Sequence, residues 1–384
     1  MLRACLLSLL LHTLAPANAQ ERTMKVGVLR DIHMREVMVV PLKSAMSVTV
    51  DGKSMGQLVL NDGLKLRCET GAITGKSLGA HYSAKKSIVL RGNGFRIRAL
   101  DRKMGERQYP GSIELRPTPM GFLMIANVPL EEYVAGVIQS EAGKDRALEY
   151  YKMQAVSCRT YALASQRRHL ADGFEVCDQT HCQVFHGRNK VDTIELAVQA
   201  TKDLVAVDPE IQLIHATFHS NCGGETLNAE DLWSKSEAYL VSTTDTFCLR
   251  APHAQWTKRV PRAQWLGYLR RTYGVDIGDA AMVQAATSYA PPCRDIYLRG
   301  LQPPVKLGKV RTDMGFNSTY FNIRSEGDQL VFEGRGFGHG IGLCQEGAMH
   351  MARSGRSYTE ILHHYFAEVH LVDLKTIDFF RDGY

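Results

Sequence analysis

Proline is sparse, with 13 residues in 384, and the chain carries no low-complexity tract and no repeat of 20 to 50 residues. These absences exclude fibrous and disordered classes. Beyond the first twenty residues no stretch reaches the ~18 apolar residues that a membrane helix requires, which argues against an integral membrane protein. A strong charge of one sign is also missing. The 46 basic and 40 acidic side chains leave +6, well short of a nucleic-acid footprint, although a mild basic excess suits an acidic polymer.

What is present is the composition of a folded protein, 45% hydrophobic and 22% charged, long enough for two or three domains. The N-terminus has the layout of a signal peptide. Arg3 precedes the apolar run Ala4 to Leu11, and Ala17-Asn18-Ala19 supplies small residues for cleavage before Gln20. Cys5 lies in this leader, without the apolar segment ahead of it that a lipoprotein needs. The eight cysteines that follow are Cys68, Cys158, Cys177, Cys182, Cys222, Cys248, Cys293 and Cys344. An even number in an exported chain permits disulfides, with connectivity left open.

Residues 20 to about 125 read as short strands separated by turns such as Asp51-Gly52 and Asn61-Asp62-Gly63. From Val128 the period changes. Pro129, Glu131 and Glu132 suit a helix start and Gly143 a helix end. Leu130, Tyr133, Val134, Val137, Ile138 and Glu141 share one face, so a carboxylate interrupts an apolar stripe. A second helix is predicted over Ala147 to His169, with Lys152 and Arg159 about two turns apart on an otherwise apolar stripe. A short helix near Ile194 to Thr201 follows, then an extended segment Ile211 to Ser220 running into Asn221-Cys222-Gly223-Gly224. Another amphipathic helix is expected near Ala263 to Tyr273, strands between Gly315 and Glu333, and a capping box at Ser357 and Glu360 opening a last helix. The fold class is α+β.

Four features carry chemistry. A carboxyl on an apolar helix face is desolvated, which raises its pKa toward the range of a general acid, so Glu141 is the candidate catalytic residue. The alternative is a solvent-facing or ion-paired Glu141. Lys152 and Arg159 can hold an anion, a fork beside a point charge, or can form a buried ion pair with Glu141 or Asp145. His169, Cys177, His181 and Cys182 could hold a four-ligand, structural zinc ion, in competition with a disulfide at Cys177 or Cys182. The run Gly334 to Gly342 alternates glycine with other residues, which matches neither a dinucleotide fingerprint nor a P-loop. It lets backbone approach a partner, with His339 at its centre to donate to a sugar or to orient a neighbour. A Cys344/His339 peptidase dyad has only sequence proximity in its favour.

Several of these segments together resemble the SpoIID/LytB family, that of stage II sporulation protein D and the amidase enhancer. They are Val128 to Val137 with Ser140-Glu141, Lys152 to Val156 through Arg159 to Ala162, and Ser220-Asn221-Cys222-Gly223-Gly224-Glu225-Thr226. Trp233, Tyr239-Leu240, Asp245 and Gly336 to Gln345 with Gly347-Ala348 follow in the family's order. The resemblance covers about residues 108 to 371. With the signal peptide at 1–19 and the strand-rich region at 20–107 before this catalytic region at 108–371, and a tail at 372–384 after it, a substrate groove is expected between the strand-rich and catalytic regions.

The resemblance implies a peptidoglycan lytic transglycosylase in the periplasmic or extracellular cell-wall space, acting on glycan strands stripped of peptides by an amidase. Glu141 would be its acid. Lys152, Arg159, Ser220, Gly223, His339 and Gln345 would bind substrate, and some members hold zinc in a Cys/His cluster like that around Cys177. Catalysis itself would need no cofactor. The partners implied are glycan strands and an N-acetylmuramoyl-L-alanine amidase, not nucleic acid. The rival readings are a non-catalytic, glycan-binding amidase enhancer and a zinc hydrolase.

Overall fold

The structure is a computed structural model that describes residues 21–233 and 235–382. The proposed signal peptide lies outside the described residues. Alternation of apolar and polar residues sets the first half: Leu64–Glu69, for example, buries Leu64, Leu66 and Cys68 and exposes the residues between. Two sheets result. The seven-stranded one runs, from edge to edge, Val176–Cys177, Thr23–Val28, Gly121–Pro129, Ser112–Thr118, Ile88–Arg91, Met46–Val50 and Lys53–Leu58. The six-stranded one runs Arg107–Tyr109, Phe95–Ala99, Glu36–Pro41, Leu64–Glu69, Ala72–Lys76 and His81–Ala84. Their inner faces meet through Val48, Leu66, Ile73, Leu90 and Leu115, all fully buried.

The sheet order spans the expected boundary at 107/108. Thr23–Val28 pairs with Gly121–Pro129 on one side and with Val176–Cys177 on the other. The strand-rich region and the helices that follow therefore share one hydrophobic core.

Gly121–Pro129 runs directly into helix α1, Leu130–Ala142. Glu131 and Glu132 occupy its first turn, and Gly143, at φ 69, closes it by donating to the Gln139 carbonyl at 3.1 Å. Helix α2, Leu148–Ala164, is buried on nearly every side, packed against α1 and against helices introduced below. It stops five residues short of the predicted His169. The Ser165 amide bonds both the Tyr161 and Ala162 carbonyls at 3.0 and 3.2 Å, tightening the turn. The chain then bends to bring His169 toward the Cys177 segment.

Helix α3 is Asp192–Ala200 and α4 is Ala229–Leu232. Residues 255–335 form a unit with a separate core that the sequence reading did not distinguish. Its sheet, ordered Gln255–Pro261, Gln329–Arg335, Phe321–Glu326, packs with α5 (Arg262–Tyr273), α6 (Ala280–Thr287) and α7 (Leu307–Met314) around Trp265, Leu269, Phe316, Phe321 and Phe332. Helices α8 (Gln345–Arg353) and α9 (Tyr358–Tyr365) pack on α2. The capping box at Ser357 and Glu360 is present. The expected C-terminal tail continues a strand, His370–Asp373, that pairs with Leu204–Val207, and then forms α10, Leu374–Asp382. No helix among the described residues is long and apolar enough to cross a membrane.

Candidate active site

Several chain segments, forming three walls, converge on a cleft of about 240 Å³. The last turn of α1 brings Glu141, and the chain after the Cys177–Cys182 segment brings Gln183. The third wall is a short parallel pair, Phe218–His219 against Leu343–Cys344, in which His219 lies opposite Cys344. That register sets Ser220 and Gln345 side by side. The cleft is lined by Glu141, Gln183, His219, Ser220, Arg311, Phe337, His339 and Gln345, among others.

Burial pushes the Glu141 carboxyl above the ordinary glutamate range, and the Val184 amide, donating to its Oε1 at 2.8 Å, pulls partly the other way. A half-buried acid with one carboxyl oxygen fixed by backbone and no cation among the described residues paired with it can hold and release a proton. Ser140, its neighbour, receives the His186 amide at 3.0 Å, so the end of α1 is anchored to the segment after Cys182 at two points.

His339 does not have a ring nitrogen free for a sugar. Its Nε2 donates to the Phe218 carbonyl at 3.0 Å and its Nδ1 accepts from the Ile341 amide at 3.1 Å, which assigns the tautomer. Burial depresses its pKa to about 4, so the ring is neutral near pH 7. The ring instead pins the glycine run. Gly338, at φ 118, has no room for a side chain, since a Cβ there would lie 2.7 Å from His219 Cβ.

His219, which the sequence reading passed over, is the open histidine. Its Nδ1 donates to the Ile341 carbonyl at 3.2 Å, while its buried Nε2 has no partner among the described residues. Two further cleft atoms share that condition, Nε2 of Gln183 and Nε2 of Gln345. Three unpartnered buried polar atoms around one cleft are the signature of a site that completes its hydrogen bonds with a ligand. The signal for His219 and Gln183 could have come only from pairing two distant segments, since neither stands in a pattern of its own.

The cations are also rearranged. Lys152 and Arg159 do not line the cleft. Lys152 pairs with Glu149 at 2.7 Å on its own helix and lies over the Tyr358 ring. Arg159 is completely buried, forks onto both carboxylate oxygens of Glu131, and donates to the Leu204 carbonyl at 2.9 Å. Its partner is thus neither Glu141 nor Asp145 but Glu131, a first-turn residue of α1. The cation that does enter the cleft is Arg311 of α7. Its Nε donates to the Asn317 carbonyl at 3.2 Å, and no carboxylate among the described residues pairs with it. Gly223 also stays outside the cleft. At φ 76 it packs against the Arg335 backbone, and its amide donates to Asn221 Oδ1 at 2.7 Å. Arg294, fully enclosed, ties the walls together by donating to the carbonyls of Cys222, Glu225 and His339 at 3.2, 3.1 and 3.4 Å.

At one end of the cleft Cys182 belongs to a cluster with His169, Cys177 and His181, whose donor atoms all lie within 4.8 Å of one another. His181 Nδ1 is 3.3 Å from His169 Nε2, 3.9 Å from Cys177 Sγ and 3.8 Å from Cys182 Sγ. Tetrahedral zinc, with bonds of about 2.0 Å to nitrogen and 2.3 Å to sulfur, sets its donors roughly 3.3 to 3.8 Å apart, so the set fits that ion. Asp172 Oδ2, 3.1 Å from His169 Nδ1, would orient the ring. No disulfide joins Cys177 or Cys182 among the described residues.

Residues 120–207 match the family model described as Stage II sporulation protein. The chain is 29% identical over 258 residues to stage II sporulation protein D of Bacillus subtilis, covering 63% of this chain and 74% of that protein. It is likewise 29% identical over 280 residues to stage II sporulation protein D of Bacillus amyloliquefaciens, covering 68% and 78%. A B. subtilis protein named amidase enhancer is 26% identical over 284 residues, 60% of this chain but only 39% of that protein. Over 60–68% of its length the chain is thus similar to stage II sporulation protein D and the amidase enhancer, the proteins of the SpoIID/LytB family.

Proposed function

We propose that this is an exported cell-wall protein that cleaves the linkage between N-acetylmuramic acid and N-acetylglucosamine in peptide-free glycan strands, leaving 1,6-anhydro ends. The observation that carries the proposal is Glu141, desolvated and held by the Val184 amide in the wall of a cleft with three unsatisfied polar groups. Protonated Glu141 gives its proton to the bridging oxygen as the C1–O bond breaks. The resulting carboxylate takes the proton of the muramoyl 6-hydroxyl as that oxygen bonds C1. Atoms balance without water, and because the nucleophile comes from the substrate, no second catalytic carboxylate is required, unlike in paired-acid glycosidases.

Around that acid, His219 Nε2 accepts a sugar hydroxyl, the Gln183 and Gln345 amides donate, and Phe337, 38% exposed, offers a ring face. Arg311 replaces Lys152 and Arg159 as reader of the lactyl carboxylate that each peptide-free muramic residue exposes. Zinc held by His169, Cys177, His181 and Cys182 would be structural, since four protein donors leave no open position. It would fix the segment that carries Gln183 and Val184 against Glu141.

The likeness to the amidase enhancer favours a second reading, in which the same cleft binds glycan without cutting it and stimulates an amidase. Glu141→Gln separates the two. On the first reading the variant still sediments with peptide-free strands but releases no anhydro product. On the second the wild type releases none either, and amidase stimulation survives the substitution.

A further inference from the structure

A second cluster of metal-binding side chains lies behind the cleft. Cys222, Asp245, Cys248 and Cys344 are each fully buried, and their donor atoms all fall within 4.8 Å of one another. Cys222 Sγ is 3.4 Å from Cys248 Sγ and 3.3 Å from Asp245 Oδ2. The four residues come from three segments that are far apart in sequence, so no spacing pattern announces them.

Two arrangements could satisfy such a group, a disulfide or a bound cation. A disulfide consumes two sulfurs and leaves the third with the carboxylate. Here the third is already oriented as an acceptor: Cys344 Sγ receives the Cys222 amide at 3.3 Å and the Gly347 amide at 3.4 Å, two backbone donors that suit a sulfur ligand to a metal. Asp245 accepts from the Phe247 amide at 2.9 Å and from the Tyr365 hydroxyl at 2.9 Å, and no Lys, Arg or His among the described residues forms an ion pair with it. A carboxyl enclosed with three sulfurs keeps its proton, the direction in which burial pushes Asp245, unless a cation joins it. Tyr365 and Phe247 orient it as outer partners orient a metal ligand. Gly347 leaves the space open, because a Cβ there would overlap both Asp245 and Tyr365.

We propose that Cys222, Cys248, Cys344 and Asp245 form a second, closed site for a thiophilic divalent cation of the zinc class, distinct from the His169 cluster. Binding displaces the thiol protons to solvent and links the metal to the three thiolates and the carboxylate, with no change of oxidation state. The site clips three segments together. Cys222 is two residues from Ser220, Cys344 immediately precedes Gln345, and Cys248 closes the turn whose carbonyl holds Asn221 Nδ2 at 3.0 Å. The cation would therefore hold Ser220 and Gln345 side by side on one wall of the cleft. The proposal does not depend on what the cleft cleaves.

Zinc is the probe. The full-length wild-type chain, purified with zinc, is expected to carry two ions, and Cys177→Ser/Cys182→Ser is expected to keep one, which Cys222→Ser/Cys248→Ser added to it removes. A measurement on wild type guards against misfolding of the variants. X-ray absorption should count three sulfurs at the second site, so the averaged shell is richer in sulfur than the two in four of the His169 cluster. A shell of two sulfurs with one ion per chain overturns the proposal. So does peptide mapping that finds a disulfide between any two of Cys222, Cys248 and Cys344.

Discussion

The Arg159 guanidinium forks onto the Glu131 carboxylate at the junction of α1 and α2, and also reaches the Leu204 carbonyl at 2.9 Å. With Arg159 fully buried and the Glu131 side chain 14% exposed, removing one partner leaves the other charged and enclosed. Arg159→Ala should therefore cost about 3–5 kcal/mol of stability by denaturant titration. Arg159→Met with Glu131→Leu should recover much of that loss, since the uncompensated charge disappears with its partner. Turnover per folded molecule should stay near wild type, which a direct role of Arg159 in substrate binding would not allow.

Arg311 should carry the ionic part of substrate binding. Losing a charge-assisted hydrogen bond worth about 1.5–3 kcal/mol raises KM roughly 10- to 150-fold. Arg311→Gln should show that increase on peptide-free strands, together with a weaker salt dependence than wild type. An unchanged salt dependence would place the carboxylate reader elsewhere.

The two neighbouring histidines should separate cleanly. His219→Ala removes an open acceptor from the cleft together with one bond to the Ile341 carbonyl, and should lower kcat/KM with a smaller loss of stability than His339→Ala. His339→Ala breaks the bonds to Phe218 and Ile341 and should lower Tm as well, by about 1–2 kcal/mol in stability terms. Thermal unfolding beside glycan turnover checks both.

Chelation should loosen the segment holding the Val184 amide. An ion present at about 100 times its Kd stabilises by about 2.7 kcal/mol, so removing zinc should lower Tm. Activity should fall in proportion to the zinc lost from the His169 cluster and return on adding zinc back, without any metal-bound water being required.

How much of this was legible beforehand follows from the range of each interaction. Glu141 stood out because a helix period is local: five apolar neighbours on one stripe are enough to locate it. The cluster of His169, Cys177, His181 and Cys182 was visible for the same reason, lying within fourteen residues. The periodicity that found Arg159 could not name its partner, because both the cleft and a neighbouring helix face are compatible with a cation on an apolar stripe. His219, Arg294 and Arg311 were invisible for a different reason. Their roles depend on a parallel pairing of residues 218–219 with 343–344 and on a separate core at 255–335, both set by contacts more than a hundred residues apart or between elements of unremarkable pattern. The same reason hid Asp245 and the three cysteines around it.

Glu141 also makes a prediction about stability. Its pKa is raised on folding by burial, so above the ordinary glutamate value the folded chain binds more protons than the unfolded one. Stability then falls as pH climbs from the unfolded pKa through the folded one. Glu141→Gln removes this titration, so the variant should gain on wild type in Tm across that window and remain more stable above it. Cleavage by wild type should decline on the same rising limb, as the acid loses its proton.

The most direct test is the mass of what wild-type protein releases from purified, peptide-free glycan strands, beside Glu141→Gln under the same conditions. The account predicts saccharides ending in 1,6-anhydro-N-acetylmuramic acid, one water lighter than hydrolytic products, with the variant's rate lower by about 10²–10⁴-fold. Products carrying the added water, or equal release by the variant, would contradict it.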